Sequence, residues 1–149
     1  MIKTKGCYVF DIDGTLADLR HRRHHIQKDP KDWGAFFAAC MDDVPIGHIC
    51  ALAIDLSSAA PILLVTGRSD AVRTETDLWI RTKARLLHSG LYMRKEGDHR
   101  SDEIVKAELL EQVMGDGYQP MMVFDDRARV VAMWRAAGIP CAQVAEGDF

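Results

Sequence analysis

What this sequence lacks narrows its class. No apolar run approaches the roughly 18 residues that a membrane-spanning helix needs. Met1-Ile2-Lys3-Thr4-Lys5 is basic, but no long apolar segment follows it, so the start does not read as a secretory signal. The four cysteines, Cys7, Cys40, Cys50 and Cys141, include no CxxC pair. Their wide spacing argues against a disulfide framework or a zinc site and predicts reduced thiols in a cytoplasmic protein, with Cys7 and Cys141 as small core residues. A net charge of −3 gives no global attraction to nucleic acid, so any polynucleotide contact needs a local basic patch. There is no internal repeat, low-complexity tract or linker. What remains is 149 residues, 48% apolar and 28% charged, the size and composition of one globular domain.

The chemistry starts at Tyr8-Val9-Phe10-Asp11-Ile12-Asp13-Gly14-Thr15. This reads as a buried strand running into two carboxylates and a turn. Two acids at the mouth of a strand are costly unless something positive sits there. A divalent cation and a phosphate would justify both; two exposed loop acids are the plain alternative. The polar segment from Ala17 to about Pro45 is too long for a turn and predicts a small helical insert. Ile49, Leu52, Ala53, Leu56, Ala59 and Ala60 have helical spacing, ended by Pro61.

Ile62 to Val65 predicts a second strand, leading into Thr66-Gly67-Arg68. Thr74 with Asp77 resembles a capping box opening a helix to about His88. Leu91 to Met93 reads as a short strand, and Ser101 as the cap of a helix carrying Val105, Leu109, Leu110, Val113 and Met114. Met121 to Phe124 predicts a fourth strand ending in Asp125-Asp126. A helix with Val130, Val131, Trp134 and Ala137 and a fifth strand from Cys141 to Val144 follow. This alternation predicts an α/β, Rossmann-like three-layer fold: a five-stranded parallel sheet with helices on both faces and an insert after strand 1. Ligands in such folds collect at the carboxyl ends of the strands. Asp11/Asp13, Thr66/Arg68 and Asp125/Asp126 would therefore meet.

Asp11-Ile12-Asp13-Gly14-Thr15, Thr66, Lys106 and Asp125-Asp126, in that order, make the sequence similar to phosphatases of the haloacid dehalogenase superfamily. The resemblance implies one domain over residues 1–149, with its insert at about 17–45, and a Mg²⁺ cofactor held by Asp11, the main-chain carbonyl of Asp13, and Asp125. It implies Asp11 as nucleophile and Asp13 as general acid and base. Like-charge repulsion from Asp11 is expected to help keep Asp13 protonated at first. Thr66 and the amide of Gly67 would hold phosphoryl oxygens, and Lys106 would add a counter-charge. Asp126 would support the metal's waters or Lys106.

A more specific resemblance covers most of the chain. Thr66-Gly67-Arg68, Gly97-Asp98-His99-Arg100-Ser101-Asp102 leading to Lys106, and the stretch from Asp125 to Arg135 are similar to the 3′-phosphatase domain of bacteriophage-type polynucleotide kinase/phosphatases. So are Gly138, Cys141, Gln143-Val144-Ala145 and Gly147-Asp148-Phe149. This implies a catalytic part for Arg68 and a functional acid at Asp102, one helical turn from Lys106 and able to orient it. It also implies a 3′-phosphorylated nucleic-acid end as substrate. Free mononucleotides are the enzymatic alternative. An idle module that binds nucleic-acid ends for a separate kinase or ligase partner is the alternative from another class, and a homo-oligomer is left open. No GxxxxGK[ST] loop occurs, so the kinase half is expected to be missing. The insert differs from that domain's.

The remaining polar and aromatic residues have plain readings beside sharper ones. Arg20-His21-Arg22-Arg23-His24-His25 could hold a second metal through His21 and His25, contact further substrate phosphates, or form a solvated helix face. Trp33, Phe36 and Phe37 could stack on a base, or pack the insert onto the core. Trp79 and Trp134 read as core. His48, His88 and His99 show no partner in the sequence, and Arg73, Arg81 and Arg85 read as a solvated helix face.

Overall fold

The structure, a computed structural model, describes residues 3–147; Met1, Ile2 and the Asp148-Phe149 end of the matching C-terminal stretch lie outside it. Strand β1 (Lys5–Phe10) is central in a parallel sheet ordered β5-β4-β1-β6-β7. Its neighbours are β4 (Ile62–Ser69) and β6 (Tyr118–Asp125), with β5 (Gly90–Arg94) and β7 (Cys141–Gln143) at the edges. Alternate residues of each strand point to opposite faces. Val9, Leu63 and Val123 therefore pack with α4 (Asp102–Gly115) and α5 (Ala128–Ala136), where Trp134 fills the centre. Phe10, Leu64 and Phe124 face the other way, toward α2 (Gly47–Ser57) and α3 (Arg73–Thr82) with Trp79. Phe10 stacks on Phe124 across adjacent strands at 4.4 Å. The expected five parallel strands and two covered faces are present, and the four cysteines are buried free thiols. No helix among the described residues is long and apolar enough to cross a membrane.

The insert is a closed loop on a stem. Short strands β2 (Ala17–Asp18) and β3 (Val44–Pro45) pair antiparallel, Ala17 with Pro45 and Asp18 with Val44. Between them lie a 3₁₀ turn at Arg20–His25, helix α1 (Trp33–Ala38), capped by the Asp32 carboxylate on the Ala35 amide, and a second 3₁₀ turn at Ala39–Asp42. The stem sets this small module over the carboxyl end of β1.

Several boundaries differ from expectation for local reasons. Helix α3 stops at Thr82 rather than near His88, and Arg85 takes a left-handed conformation with φ 55°. Ala84 and Leu86 stay buried past the helix end, so apolar spacing outran the helix. Thr74 lies inside α3 and caps nothing; Asp77 instead pairs with Arg81 at 3.0 Å and with His88 at 2.6 Å, so His88 does have a partner. Strand β6 begins three residues earlier than Met121, at Tyr118, because a register shift against Cys7/Tyr8 accommodates Pro120, which cannot donate to the ladder.

Candidate active site

The ends of β1, β4 and β6 and the start of α4 converge on a cleft of about 570 Å³, with the insert as one wall. Asp11 follows β1, anchored by its amide donating to the Phe124 carbonyl at 2.9 Å. Its carboxylate accepts from Lys106 Nζ at 2.8 Å and from the Thr15 hydroxyl at 3.1 Å. Lys106, on the second turn of α4, also donates to Asp125 Oδ2 at 2.9 Å. Asp125 takes a further bond from the Arg127 amide at 3.2 Å. Carboxylate oxygens of Asp11, Asp125 and Asp126 lie within 4.8 Å of one another, all buried. Gly14, at φ 85°, lets the chain turn here, and any side chain on it would run into the Asp126 carboxylate.

One ammonium against three buried carboxylates leaves this basin short of positive charge. The charge deficit sets the direction in which each member's pKa moves. Burial, then repulsion from Asp125, push Asp11 well above the usual carboxylate range despite Lys106. Asp126 is raised for the same reasons. Burial alone would lower Lys106, but Asp11 and Asp125 outweigh it and raise its pKa. An all-oxygen donor set with a charge deficit fits a hard divalent cation such as Mg²⁺.

Asp13 is two residues away in sequence and in a different environment. Its carboxylate accepts from Arg68 Nη2 at 2.7 Å and from Arg22 Nη2 at 2.8 Å. The same two guanidiniums share Asp43: Arg22 Nε donates to Oδ1 at 2.7 Å and Arg68 Nη2 to Oδ2 at 2.7 Å. Two acids and two arginines make a balanced buried cluster. The Asp43 carbonyl accepts from Trp79 Nε1 at 2.9 Å, which ties the cluster to the α3 side of the core. Burial would raise Asp13, but Arg68 and Arg22 together hold it below the usual carboxylate range. The expectation that Asp11 keeps Asp13 protonated is therefore corrected. The two carboxylates, two residues apart, have different partners, and the nearest charges to Asp13 are guanidiniums.

Arg22 and Asp43 were missed by sequence reasoning. Arg22 is fully buried, with its guanidinium 4.2 Å from the Phe36 ring centre, so the Arg20–His25 run is not simply a solvated face. His21 there bonds Asp43 at 2.7 Å. An arginine inside a charge-rich polar segment gives no sequence signal of burial.

The other expected site residues fall into place with two differences. The Thr66 hydroxyl accepts from the Arg68 amide at 3.1 Å, but Thr66 and Arg68 are wholly buried behind Gly67, which does line the cleft. Asp102 was expected to orient Lys106; it is held instead by Arg94 and by Arg127, the latter at 3.0 Å. Its carboxylate presses on Gly67, where an added Cβ would come within 2.5 Å of Asp102 Oδ1. Asp102 thus braces the Gly67 loop, and its negative charge helps hold Lys106 protonated from a distance.

A doubly covered parallel sheet with two acids after its central strand, a lysine from a helix and an acid pair after the next strand defines a phosphatase of the haloacid dehalogenase type. Residues 5–149 match the family described as the polynucleotide kinase PNKP phosphatase domain, and the chain belongs to that family. A protein of Autographa californica nuclear polyhedrosis virus, provisionally named a bifunctional polynucleotide kinase/RNA ligase, is 33% identical over 131 residues, 87% of this chain and 18% of its own. Structures of a Pnkp1/Rnl/Hen1 complex and of the Pnkp1/Rnl/Hen1 RNA repair complex contain chains 29% and 28% identical to it, both with a TM-score of 0.83 over 98% of this chain. This chain spans 47% and 44% of those two. The haloacid dehalogenase-like hydrolase SP0104 from Streptococcus pneumoniae shares the fold, with 17% identity, a TM-score of 0.64 and coverage of 95% of this chain and 84% of that one.

Asp43→Ala would leave two buried guanidiniums competing for Asp13 alone. Removing one partner of a buried ion pair costs about 3–5 kcal/mol, so the urea midpoint should fall accordingly. The contribution of Asp13 has a definite sign: with a depressed folded-state pKa, it is fully present at neutral pH and is lost as pH falls through that value. Asp13→Asn should correspondingly flatten the acid limb of the stability profile.

Proposed function

We propose that the protein is a Mg²⁺-dependent phosphomonoesterase that removes 3′-phosphates from nucleic-acid ends through an aspartyl-phosphate on Asp11. The observation that carries this is the unequal charge around the two acids: Asp11 lies in an acid-rich basin and Asp13 in an arginine-balanced one. Asp11, Asp125 and Asp126 would hold the cation, with Asp13 contributing its main-chain carbonyl while its side chain is turned to Arg22 and Arg68. The cation would neutralise phosphoryl charge and make the phosphorus attackable.

The chain's own groups do the rest. Asp11, oriented by Lys106 and Thr15, attacks phosphorus in line. The Gly67 amide and Lys106 take phosphoryl oxygens, with Thr66 supporting the turn behind Gly67 and Asp102 keeping the Gly67 loop in place. Arg68 acts through Asp13 as a positioning residue. A phosphate dianion arriving beside Asp13 raises its pKa, so the proton for the leaving alkoxide is taken up with substrate. Asp13 protonates that alkoxide, then accepts the proton of the water that hydrolyses the phospho-Asp11.

The family assignment and the kinase, ligase and RNA-repair names of its relatives support the nucleic-acid end as substrate and a kinase or ligase as partner, linked or separate. The decisive comparison is Mg²⁺-dependent phosphate release from a 3′-phosphorylated oligonucleotide, a 5′-phosphorylated one, and 3′- and 5′-mononucleotides. The 3′-phosphorylated oligonucleotide should be preferred, and Asp11→Asn should abolish turnover; preference for mononucleotides would defeat the end-repair reading. Asp13→Asn should slow alkyl phosphates by about 10²–10⁴-fold and activated aryl phosphates far less. Equal slowing of both would remove Asp13 as the acid.

Burial and repulsion from Asp125 raise Asp11 and Asp126, so protons compete with Mg²⁺ for this donor set. Its apparent affinity should rise with pH. Calorimetry in buffers of different ionisation enthalpy should show proton release, and a pH-independent affinity would contradict the assigned donor set.

A further inference from the structure

The mechanism leaves the distal half of the cleft unused. On the insert wall, the three aromatics of α1 divide. Phe36 is 6% exposed and lies over Arg22, so it packs. Trp33 remains 44% exposed at the cleft, although tryptophan is among the most burial-prone side chains. Phe37 lies beside it, its ring 6.0 Å away and tilted by 27°, and Lys31 sits 5.7 Å from the Trp33 ring centre. Leu19 and Ile26 extend this apolar wall.

Another part of the lining is the 95–100 loop, which brings Lys95, Glu96, Asp98, His99 and Arg100 to the cleft. This loop is fixed in place. Arg94 Nε donates to the Gly67 carbonyl at 2.8 Å and its Nη1 to the carbonyls of Asp98 and Arg100, at 3.1 and 2.6 Å. The Glu96 amide donates to Asp70 at 2.9 Å. Arg100 pairs with Asp98 at 2.7 Å and with Glu108 at 2.5 Å, so its charge is taken up within the loop and α4. An aromatic shelf in the same cleft as a phosphoryl-transfer floor is complementary to a nucleotide end: base on the shelf, phosphate on the floor.

We propose that Trp33, backed by Phe37, is a stacking shelf for a nucleobase of the strand that carries the scissile phosphate. This rests on the phosphatase reading above and adds a recognition element to it. Stacking is tolerant of base identity, because every base has a π-face, so the shelf selects for the presence of a base and not for sequence.

Two measurements test it. Trp79 and Trp134 are 0% and 1% exposed, so fluorescence quenching of the Asp11→Asn protein by a 3′-phosphorylated oligonucleotide would report mainly on Trp33. The same oligonucleotide with abasic sugars at its last two positions should quench several-fold less. In the active enzyme, the kcat/KM ratio for base-bearing over abasic ends should fall by about tenfold in Trp33→Ala, mostly through KM, and be largely kept in Trp33→Phe. Equal losses on both ends would show that Trp33 only packs the insert and would overturn the proposal. If oligonucleotides prove poor substrates and mononucleotides good ones, the end-repair reading fails separately. The shelf is then judged by the same ratio for a 3′-mononucleotide over ribose 3-phosphate.

Discussion

The structure depends on how buried charge is apportioned on either side of Ile12. Ile12 is itself fully buried and drives the chain inward at the point where Asp11 and Asp13 flank it. On one side three carboxylates share Lys106; on the other two carboxylates share Arg22 and Arg68. Burying carboxylates costs several kcal/mol each unless they are matched, so the imbalance of the first basin is tolerable only in a site built to receive further positive charge. The balance of the second makes it a rigid scaffold. Sequence-adjacent acids thus acquire different chemistry through their surroundings, as pKa tuning in catalytic pairs requires.

Each basin is assembled from distant segments, and the sheet makes that possible. Parallel strands put every crossover's start at one edge, so β1, β4 and β6 deliver acid, hydroxyl and acid to one place. Lys106 arrives from the first turns of α4, whose start is secured by Asp102 between Arg94 and Arg127. The second basin cannot be built from the sheet alone. Arg22 and Asp43 come from the two arms of the insert just above its stem, and Trp79 reaches Asp43 from the core.

The sheet, its order of elements and the acids at its strand ends were legible because each strand is a continuous apolar run followed directly by chemistry. The lysine and both acid pairs were legible as motifs. Less legible were contacts made by residues whose surroundings in sequence are polar. Arg22 lies among five other basic residues, and its contacts with Phe36, Asp13 and Asp43 explain its burial. Asp43 follows Asp42 and resembles a helix-end acid. The end of α3 was misplaced because Ala84 and Leu86 continue the apolar pattern without the helix. Asp13's protonation state could not be read from spacing, since repulsion from Asp11 was visible in sequence, whereas Arg22 was not and Arg68 was placed at the site without its bond to Asp13.

The β2–β3 stem has a consequence for how such a domain can diversify. Because Ala17 pairs with Pro45, the two ends of the insert are pinned together, and chain added or removed between His25 and Asp32 does not propagate into the sheet. Arg22 and Asp43 stand near the pinned base, whereas Trp33 stands toward the tip. Phe36 links the two: it shares α1 with Trp33, and its ring and carbonyl both meet Arg22. A tip exchanged between His25 and Asp43 would therefore have to keep Phe36 to leave Arg22 supported while it reshapes the outer wall of the cleft.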